Sequence, residues 1–214
     1  MPGSFSPRDG WMKNWFDSSR QRAGFIFACC LLGACVLGSA RADDRLFHLA
    51  VYGGKAAEER MLDILTRYRT GFRDARLVAV APGMIVSEHR RWRQELEFQA
   101  LKHFGDQDHW EFNAAWLGRW MDFPWDHRLD TRAALGLGVS WAGEVPPIEP
   151  RAKLDEGESA RFLGYVAIEL EFALPRAQDW SGFARLHHRS NAFGLFDGDR
   201  GGSNFIALGL RRRF

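Results

Sequence analysis

Two side chains near the end of the chain have the types and the spacing needed for acyl transfer. His188 and Ser190 lie two residues apart in the segment LHHRSN, within a stretch that alternates between apolar and polar residues as a β-strand does. Residues two apart in a strand share one face, so the imidazole can reach the hydroxyl and activate it as a nucleophile. A histidine and a serine at a strand end also commonly bind lipid headgroups, and spacing alone leaves both interpretations open.

The flanking residues indicate which face of the strand carries the pair. Three small or apolar residues share its parity: Gly182, Ala184 and Leu186. Three basic residues have the opposite parity: Arg185, His187 and Arg189. If the strand belongs to a membrane barrel, the face with Leu186 meets lipid. The pair would then meet a lipid ester and not a solute inside the barrel.

Alternation of this kind recurs along the chain and predicts an all-β fold. Eight segments show it: 47–53, 76–81, 94–104, 109–120, 132–141, 164–174, 180–190 and 206–214. An even number of strands of roughly ten residues, apolar on one face and charged on the other, predicts an eight-stranded antiparallel outer-membrane β-barrel. The alternative is a soluble barrel of the lipocalin type, in which the apolar face would point inward.

The charged residues favour the membrane barrel. Four glutamates and two arginines share the parity predicted for the lumen, where opposite charges can pair: Glu95, Glu97, Glu169, Glu171, Arg119 and Arg185. The opposite face carries apolar residues, among them Val166, Ile168, Leu170, Ile206, Leu208 and Leu210. A soluble barrel would have to accommodate three tryptophans of one strand in its interior: Trp110, Trp116 and Trp120.

Two further segments have more than one interpretation. Residues 55–69 are closer to helical spacing than to alternation and predict either a short helix in a loop or a poorly patterned strand. Glu111, Asn113 and Arg119 form a polar row that is better explained as a network filling the lumen than as a functional site. The histidines at 48, 103, 109 and 127 are too scattered in sequence to predict a metal site, and no motif requires a cofactor.

The first 42 residues have the layout of an export signal. A basic region with Arg8, Lys13, Arg20 and Arg22 precedes an apolar run over 24–37, and Ala40-Arg41-Ala42 suits cleavage after Ala42. The apolar run is shorter than the roughly 20 residues of a transmembrane helix, which disfavours a retained anchor. Lipidation at Cys35 is a second alternative. We therefore predict a signal peptide at 1–42 and a barrel domain at 43–214.

Cleavage would change the chemistry available to the chain. All three cysteines lie within residues 29–35, so the mature chain would have no disulfide and no thiolate nucleophile. Removal of five basic and two acidic residues leaves 24 basic and 25 acidic side chains. A net charge near −1 argues against a nucleic-acid partner.

The segment HRSNA, with the glycine-rich loop and the last strand that follow, resembles the lipid A 3-O-deacylases of the PagL type. The resemblance is concentrated in residues 185–214. It implies an eight-stranded outer-membrane barrel that cuts an ester-linked acyl chain from lipid A with a serine, a histidine and a glutamate on its outer face. By this resemblance Ser190 is the nucleophile, His188 the general base and Asn191 a candidate for oxyanion stabilisation.

The chain departs from the family at the third catalytic position. The family's glutamate lies about a dozen residues after the serine, where this chain has GGSNF without an acid. Asn204 has lipid-side parity and is a candidate to orient His188 as an amide, as asparagine does in some cysteine–histidine enzymes. Asp197 and Asp199 in the preceding loop are the other candidates, whereas Glu169 and Glu171 have lumen parity.

The leading hypothesis is therefore an outer-membrane esterase that acts on lipid A or lipopolysaccharide through Ser190, His188 and Asn204. One alternative is a barrel of the same fold that has lost catalysis and keeps a structural or lipopolysaccharide-binding role. Another is a soluble periplasmic binding barrel. The terminal Phe214 is expected to be the contact with the barrel-assembly machinery.

Overall fold

A closed antiparallel barrel forms the part of the chain that the computed structural model describes, namely residues 46–67, 69–149, 159–177, 179–192, 195 and 201–214. Its eight strands are β1 (Phe47–Ala57), β2 (Phe72–His89), β3 (Trp92–Gly105), β4 (Trp110–Trp120), β5 (Asp130–Ala142), β6 (Phe162–Ala173), β7 (Trp180–Ser190) and β8 (Gly202–Arg213). Each strand pairs with its sequence neighbour, and β1 pairs with β8 from His48–Arg213 to Ala56–Phe205. The predicted signal peptide, the cysteines, Asp197 and Asp199 lie outside the described residues.

The eight predicted strands are confirmed, with one large change of length. The predicted segment 76–81 stops before Pro82-Gly83, which resembles a turn signal. The strand β2 instead continues to His89, and Pro82 pairs with Leu49 of β1. Pairing with β1 continues through Pro82, and pairing with β3 resumes at Gly83, so the local turn preference is overridden.

Residues 55–69 contain the short helix that was one of the two interpretations. Lys55 to Ala57 complete β1, and helix α1 spans Met61–Arg67 in the connection to β2. None of its residues is buried. Within the described residues, no helix has the length and apolar character needed to cross a membrane.

The outer surface of the barrel is apolar along the middle of the strands. Outward-facing aliphatic residues are between 40% and 69% exposed: Leu49, Val51, Val78, Val80, Leu135, Leu137, Leu170, Leu208 and Leu210. Aromatic side chains lie near both ends, with Trp92, Trp120 and Trp180 at one and Trp110, Phe112 and Trp141 at the other. An apolar band between two aromatic girdles is typical of proteins that cross the outer membrane with strands.

The lumen is the charged side of the barrel. Seven charged residues in it are at most 2% exposed: Glu95, Glu97, Glu169, Glu171, Arg119, Arg185 and Arg211. Arg119 donates to Glu95 at 2.8 and 2.9 Å and to Glu169 at 2.8 Å, while Arg185 donates to Glu97 at 2.7 Å. Buried charges are tolerated when they are paired in this way. The soluble alternative is wrong, because an apolar exterior around a charged interior requires lipid outside.

The connections divide the barrel into two unlike ends. One end, here called the loop end, carries the connections 58–71, 106–109, 143–161 and 191–201. The other carries 90–91, 121–129 and 174–179, together with the start of β1 and the end of β8. Short turns on one side and longer loops on the other are the rule for outer-membrane barrels, in which the longer loops face the outside. The protein is an eight-stranded β-barrel of the bacterial outer membrane.

Candidate active site on the outer wall

The predicted pair lies at the loop end of β7, on the outward face. His188 pairs with Val166 of β6 and Asn204 of β8, and Ser190 pairs with Gly164 and Gly202. Glycine has no side chain, so neither neighbour of Ser190 projects a group over its hydroxyl. Gly202 has φ +148°, and a Cβ there would lie 2.3 Å from the Arg189 carbonyl oxygen, so this position requires glycine. Neither neighbouring strand therefore covers Ser190, which is partly exposed among the described residues.

His188 is held by Asn204 across the β7–β8 pair. The distance from His188 Nδ1 to Asn204 Oδ1 is 2.7 Å. Asn204 is 4% exposed, and its Nδ2 donates to the Glu59 carbonyl oxygen at 2.9 Å. Because that bond uses the amide nitrogen, the oxygen faces the imidazole and His188 must donate from Nδ1. The second ring nitrogen, Nε2, then carries the lone pair that a general base needs.

Ser190 and His188 share a face, although no hydrogen bond joins their side chains in the described part of the chain. Both are partly exposed at the end of the strand. Catalytic hydrogen bonds are often long in the absence of substrate and tighten in the complex. Asn191 follows Ser190 directly, outside the strand, where the chain turns into the connection to β8.

Among the acids considered from the sequence, Glu169 and Glu171 do not reach this site. Glu169 and Glu171 are both 1% exposed and pair with arginines in the lumen. The polar row is also part of the lumen network, because Glu111 binds His103 and Asn113 donates to Gln99 at 2.9 Å.

Behind the site, the lumen face of β7 is anchored to the loop between β5 and β6. Arg189 donates to Glu149 at 2.6 Å, and Ser159 and Ser203 donate to the same carboxylate at 2.5 and 2.9 Å. Burial raises the pKa of Glu149, while the Arg189 charge acts in the opposite direction. These bonds join β7, β8 and the loop, and so fix the strand ends that carry Ser190 and Asn204.

A basic pocket lies next to the group that holds Asn204. It has a volume of about 380 Å³ and is lined by Glu59, Arg67, Arg69, Thr70 and Gly71. Its lining belongs to the β1–β2 connection, whose Glu59 carbonyl accepts the Asn204 bond. An anionic headgroup at the outer wall would meet these arginines.

Two features of the site have weak or no signals in the sequence. The Glu59 contact is made by a backbone carbonyl, which any residue supplies, so only the folded loop reveals it. The glycines beside Ser190 come from two other strands, and the pairing register alone shows that they flank it. Histidines that are scattered in sequence also meet in the fold, because the short connection 106–109 returns the chain and brings His109 against His103.

Strand number, outward apolar face and filled lumen define the class of protein as a small outer-membrane barrel. Among solved structures, the chain is similar to the outer-membrane enzyme PagL, with a TM-score of 0.53 and 10% identity over 78% of this chain and 99% of that one. It is also similar to Neisserial surface protein A, with a TM-score of 0.47 and 11% identity over 78% and 97% of the two chains. The attachment invasion locus protein Ail of Yersinia pestis is similar with a TM-score of 0.41 and 12% identity, over 79% of this chain and 99% of that one.

The likeness to PagL shows the shared fold alone, because 10% identity is too low to carry over an activity. No protein-family model matches the chain, and no curated protein sequence matches it.

Proposed function

We propose that the protein is an outer-membrane esterase that removes an ester-linked acyl chain from lipid A. The observation that carries the proposal is the arrangement of Ser190, His188 and Asn204 on the outer wall, with His188 held through Nδ1 by an oriented amide. The resemblance of residues 185–214 to lipid A 3-O-deacylases supports the same reaction, and so does the fold shared with the outer-membrane enzyme PagL.

The reaction follows from the roles of the three side chains. The Ser190 hydroxyl attacks the ester carbonyl while His188 Nε2 accepts its proton. The tetrahedral intermediate collapses to an acyl-serine, and the protonated imidazole gives its proton to the leaving sugar hydroxyl. Water then attacks the acyl-serine with the help of the same imidazole, which releases the fatty acid and restores Ser190.

Asn204 takes the orienting role that the family assigns to a glutamate. Its oxygen keeps the proton of His188 on Nδ1 and so leaves Nε2 free to act as the base. An amide carries no charge and stabilises the imidazolium less than a carboxylate does, so we expect a slower enzyme than one with an acid at this position. The backbone amides after Ser190, together with Asn191, are the proposed donors to the developing oxyanion.

The position on the outer wall selects a lipid as the substrate. Ser190 faces the same side as the exposed Leu208 and Leu210, where acyl chains lie. At the loop end the site is level with lipid headgroups, and the basic pocket lined by Arg67 and Arg69 suits the phosphate groups of lipid A. An ester between sugar and acyl chain lies between these two regions.

The proposal includes a route to the membrane. Residues 1–42 would direct export and be removed after Ala42, and Phe214 would be presented to the barrel-assembly machinery. Phe214 is 56% exposed, and its backbone pairs with Phe47, next to the β1–β8 closure.

The decisive experiment is mass spectrometry of lipid A from a strain that expresses the protein. Wild-type protein should produce lipid A lacking one acyl chain, and Ser190→Ala should leave the lipid intact at equal amounts of folded barrel. If wild-type protein leaves lipid A unchanged in cells and after purification, the non-catalytic barrel is the correct interpretation.

A further inference from the structure

A second cluster of titratable side chains lies inside the barrel at the loop end, separate from the outer wall. It consists of His103 of β3, His109 of the β3–β4 connection and Glu111 of β4. Each offers one ligand-capable atom, and these atoms lie within 4.8 Å of one another. The three residues are 1%, 5% and 0% exposed.

The histidine at 109 is buried without a hydrogen-bond partner. Neither of its ring nitrogens bonds to another group among the residues that the structure describes. Its ring stacks on His103 with a centroid distance of 4.4 Å, and Nδ1 lies 4.0 Å from Glu144 Oε1. A buried polar group that lacks a partner is costly and calls for an explanation, such as a bound ion or water.

The carboxylate of Glu111 is fixed in the orientation that a ligand needs. Its Oε1 lies 3.0 Å from both Ser140 Oγ and His187 Nε2. Its Oε2 faces His103 Nε2 at 2.9 Å. One oxygen is thus held by the barrel wall, and the other points into the cluster.

Gln107 lies where it can supply the outer contact that metal-binding histidines use. Its side-chain nitrogen lies 2.6 Å from His103 Nδ1, while its Oε1 is buried and has no partner within the described residues. A 180° rotation of the amide would let Oε1 accept a hydrogen bond from Nδ1–H of His103, which leaves the lone pair of Nε2 pointing toward Glu111. A carbonyl oxygen behind a ligating histidine is the common second contact of metal sites.

We propose that His103, His109 and Glu111 bind a divalent transition-metal ion of the zinc type. Two imidazoles and one carboxylate are a donor set that zinc accepts, with a fourth position for water or for Glu144. Binding requires the two stacked rings to tilt apart so that their lone pairs converge, with ligand atoms about 3.3 Å from one another, as bonds of about 2.0–2.2 Å require. The ion would clamp β3 to β4 across their short connection.

A pocket offers the ion a route to the cluster, and the positive charge of the nearby Arg189 is balanced by Glu149. A pocket of about 530 Å³ on the outside of the barrel is lined in part by His109, Gly143 and Glu144, and Glu144 is half exposed. Arg189 Nε lies 3.9 Å from Glu111 Oε2, but the same guanidinium is bonded to Glu149 at 2.6 Å. The site is independent of Ser190 and does not rest on the proposed esterase activity.

The test measures metal binding directly on the full barrel purified in detergent. Metal content after dialysis against Zn²⁺ gives the stoichiometry, and the visible absorption of added Co²⁺ reports nitrogen and oxygen ligands. We expect one ion per chain. His109→Ala should lower the affinity at least about 100-fold, and Gln107→Leu about 10–100-fold.

Two variants control for nonspecific binding and for damage to the fold. His127→Ala removes an exposed histidine of the 121–129 connection and should leave binding unchanged. Ser190→Ala should also bind normally, even if deacylation is lost or was never present. His109→Ala breaks no hydrogen bond among the described residues, so it should fold even if Glu111→Gln does not. Binding below one-tenth of an ion per chain, or binding that survives His109→Ala, would overturn the proposal.

Discussion

Adjacent histidines on β7 face two different environments. His187 points into the lumen, is 0% exposed and bonds to Glu111 at 3.0 Å. His188 points to the outer wall and bonds to Asn204 at 2.7 Å. His187 is one member of a large charged network, whereas His188 shares the outward face with Ser190, two residues further along. Residue type therefore does not distinguish them, but the alternation of the strand does.

The two faces also differ in how many partners each polar side chain has. In the lumen, Glu169 accepts bonds from Arg119, Arg185 and Arg211, so each charge has several partners. On the outer wall, Asn204 is the side chain that holds Nδ1 of His188. We expect the lumen contacts to hold the fold and the outer face to carry the chemistry. The predictions below separate these two roles.

The largest effect should come from removing the reacting groups on the outer face. Ser190→Ala and His188→Ala should each reduce deacylation of purified lipid A by about 10⁴- to 10⁶-fold, since nucleophile and base act as a unit. Fatty-acid release by purified protein in detergent measures the rate.

Matched controls for this prediction lie on the same strand. Ser181→Ala removes a buried lumen serine, and His187→Gln changes the lumen histidine while keeping a donor for Glu111. Both should retain the rate within a few-fold if the barrel folds. Equal losses from His187→Gln and His188→Ala would show that the two faces do not divide as described.

Changing the orienting amide should have the next largest effect. Asn204→Ala should reduce the rate by about 10²- to 10⁴-fold, roughly 100-fold less than Ser190→Ala, because this group positions the base and does not enter bond formation. Asn204→Asp keeps an acceptor for His188 Nδ1 but loses the bond to the Glu59 carbonyl, so it should retain more of the rate than Asn204→Ala does. If Asn204→Ala has no effect, the orienting group must come from elsewhere, and Asp197 and Asp199 are the next candidates.

Most of the fold could be predicted from the sequence, because a barrel strand shows its two environments every second residue. The alternation of the glutamates at 95, 97, 169 and 171 with apolar residues predicts the barrel architecture. It also predicts which face of each strand points into the lumen. The end of β2 could not be predicted, since Pro82-Gly83 is a turn signal that pairing with β1 overrides. Residues 55–69 allow two interpretations, a short helix or a strand, because their apolar residues follow neither a helical nor an alternating spacing regularly.

The site could be predicted only in part. Parity predicts that His188, Ser190 and Asn204 share one face, and the structure adds that His188 and Asn204 are directly opposite across β7 and β8. The contact with the Glu59 carbonyl could not be foreseen, because it depends on the path of a loop. The proximity of His103, His109 and Glu111 could not be predicted for a related reason: they share odd parity, but their meeting depends on the length and shape of the β3–β4 connection.

On the lumen side, loss of a shared carboxylate should destabilise the barrel. Glu169→Ala leaves Arg119, Arg185 and Arg211 with less compensation in a buried site, which should lower the free energy of unfolding by about 3–5 kcal/mol. Denaturant titration of the protein in lipid vesicles measures it. Leu170→Ala, the next residue on the outer face, should cost clearly less. A loss below about 1 kcal/mol for Glu169→Ala would mean that the remaining glutamates compensate fully.

On the outer side, a charge placed in the lipid band should have the smallest of these effects and should depend on depth. Leu208 is 69% exposed in the middle of β8, where it pairs with Ala184 and Gly53. Leu208→Arg should cost about 2–4 kcal/mol, because the guanidinium must sit near the bilayer midplane. Leu174 is 63% exposed but follows the end of β6, so Leu174→Arg should cost about 0–1 kcal/mol in the same unfolding measurement. Equal costs at the two positions would contradict the assignment of this face to lipid, and with it the prediction that Ser190 meets its ester from the membrane side.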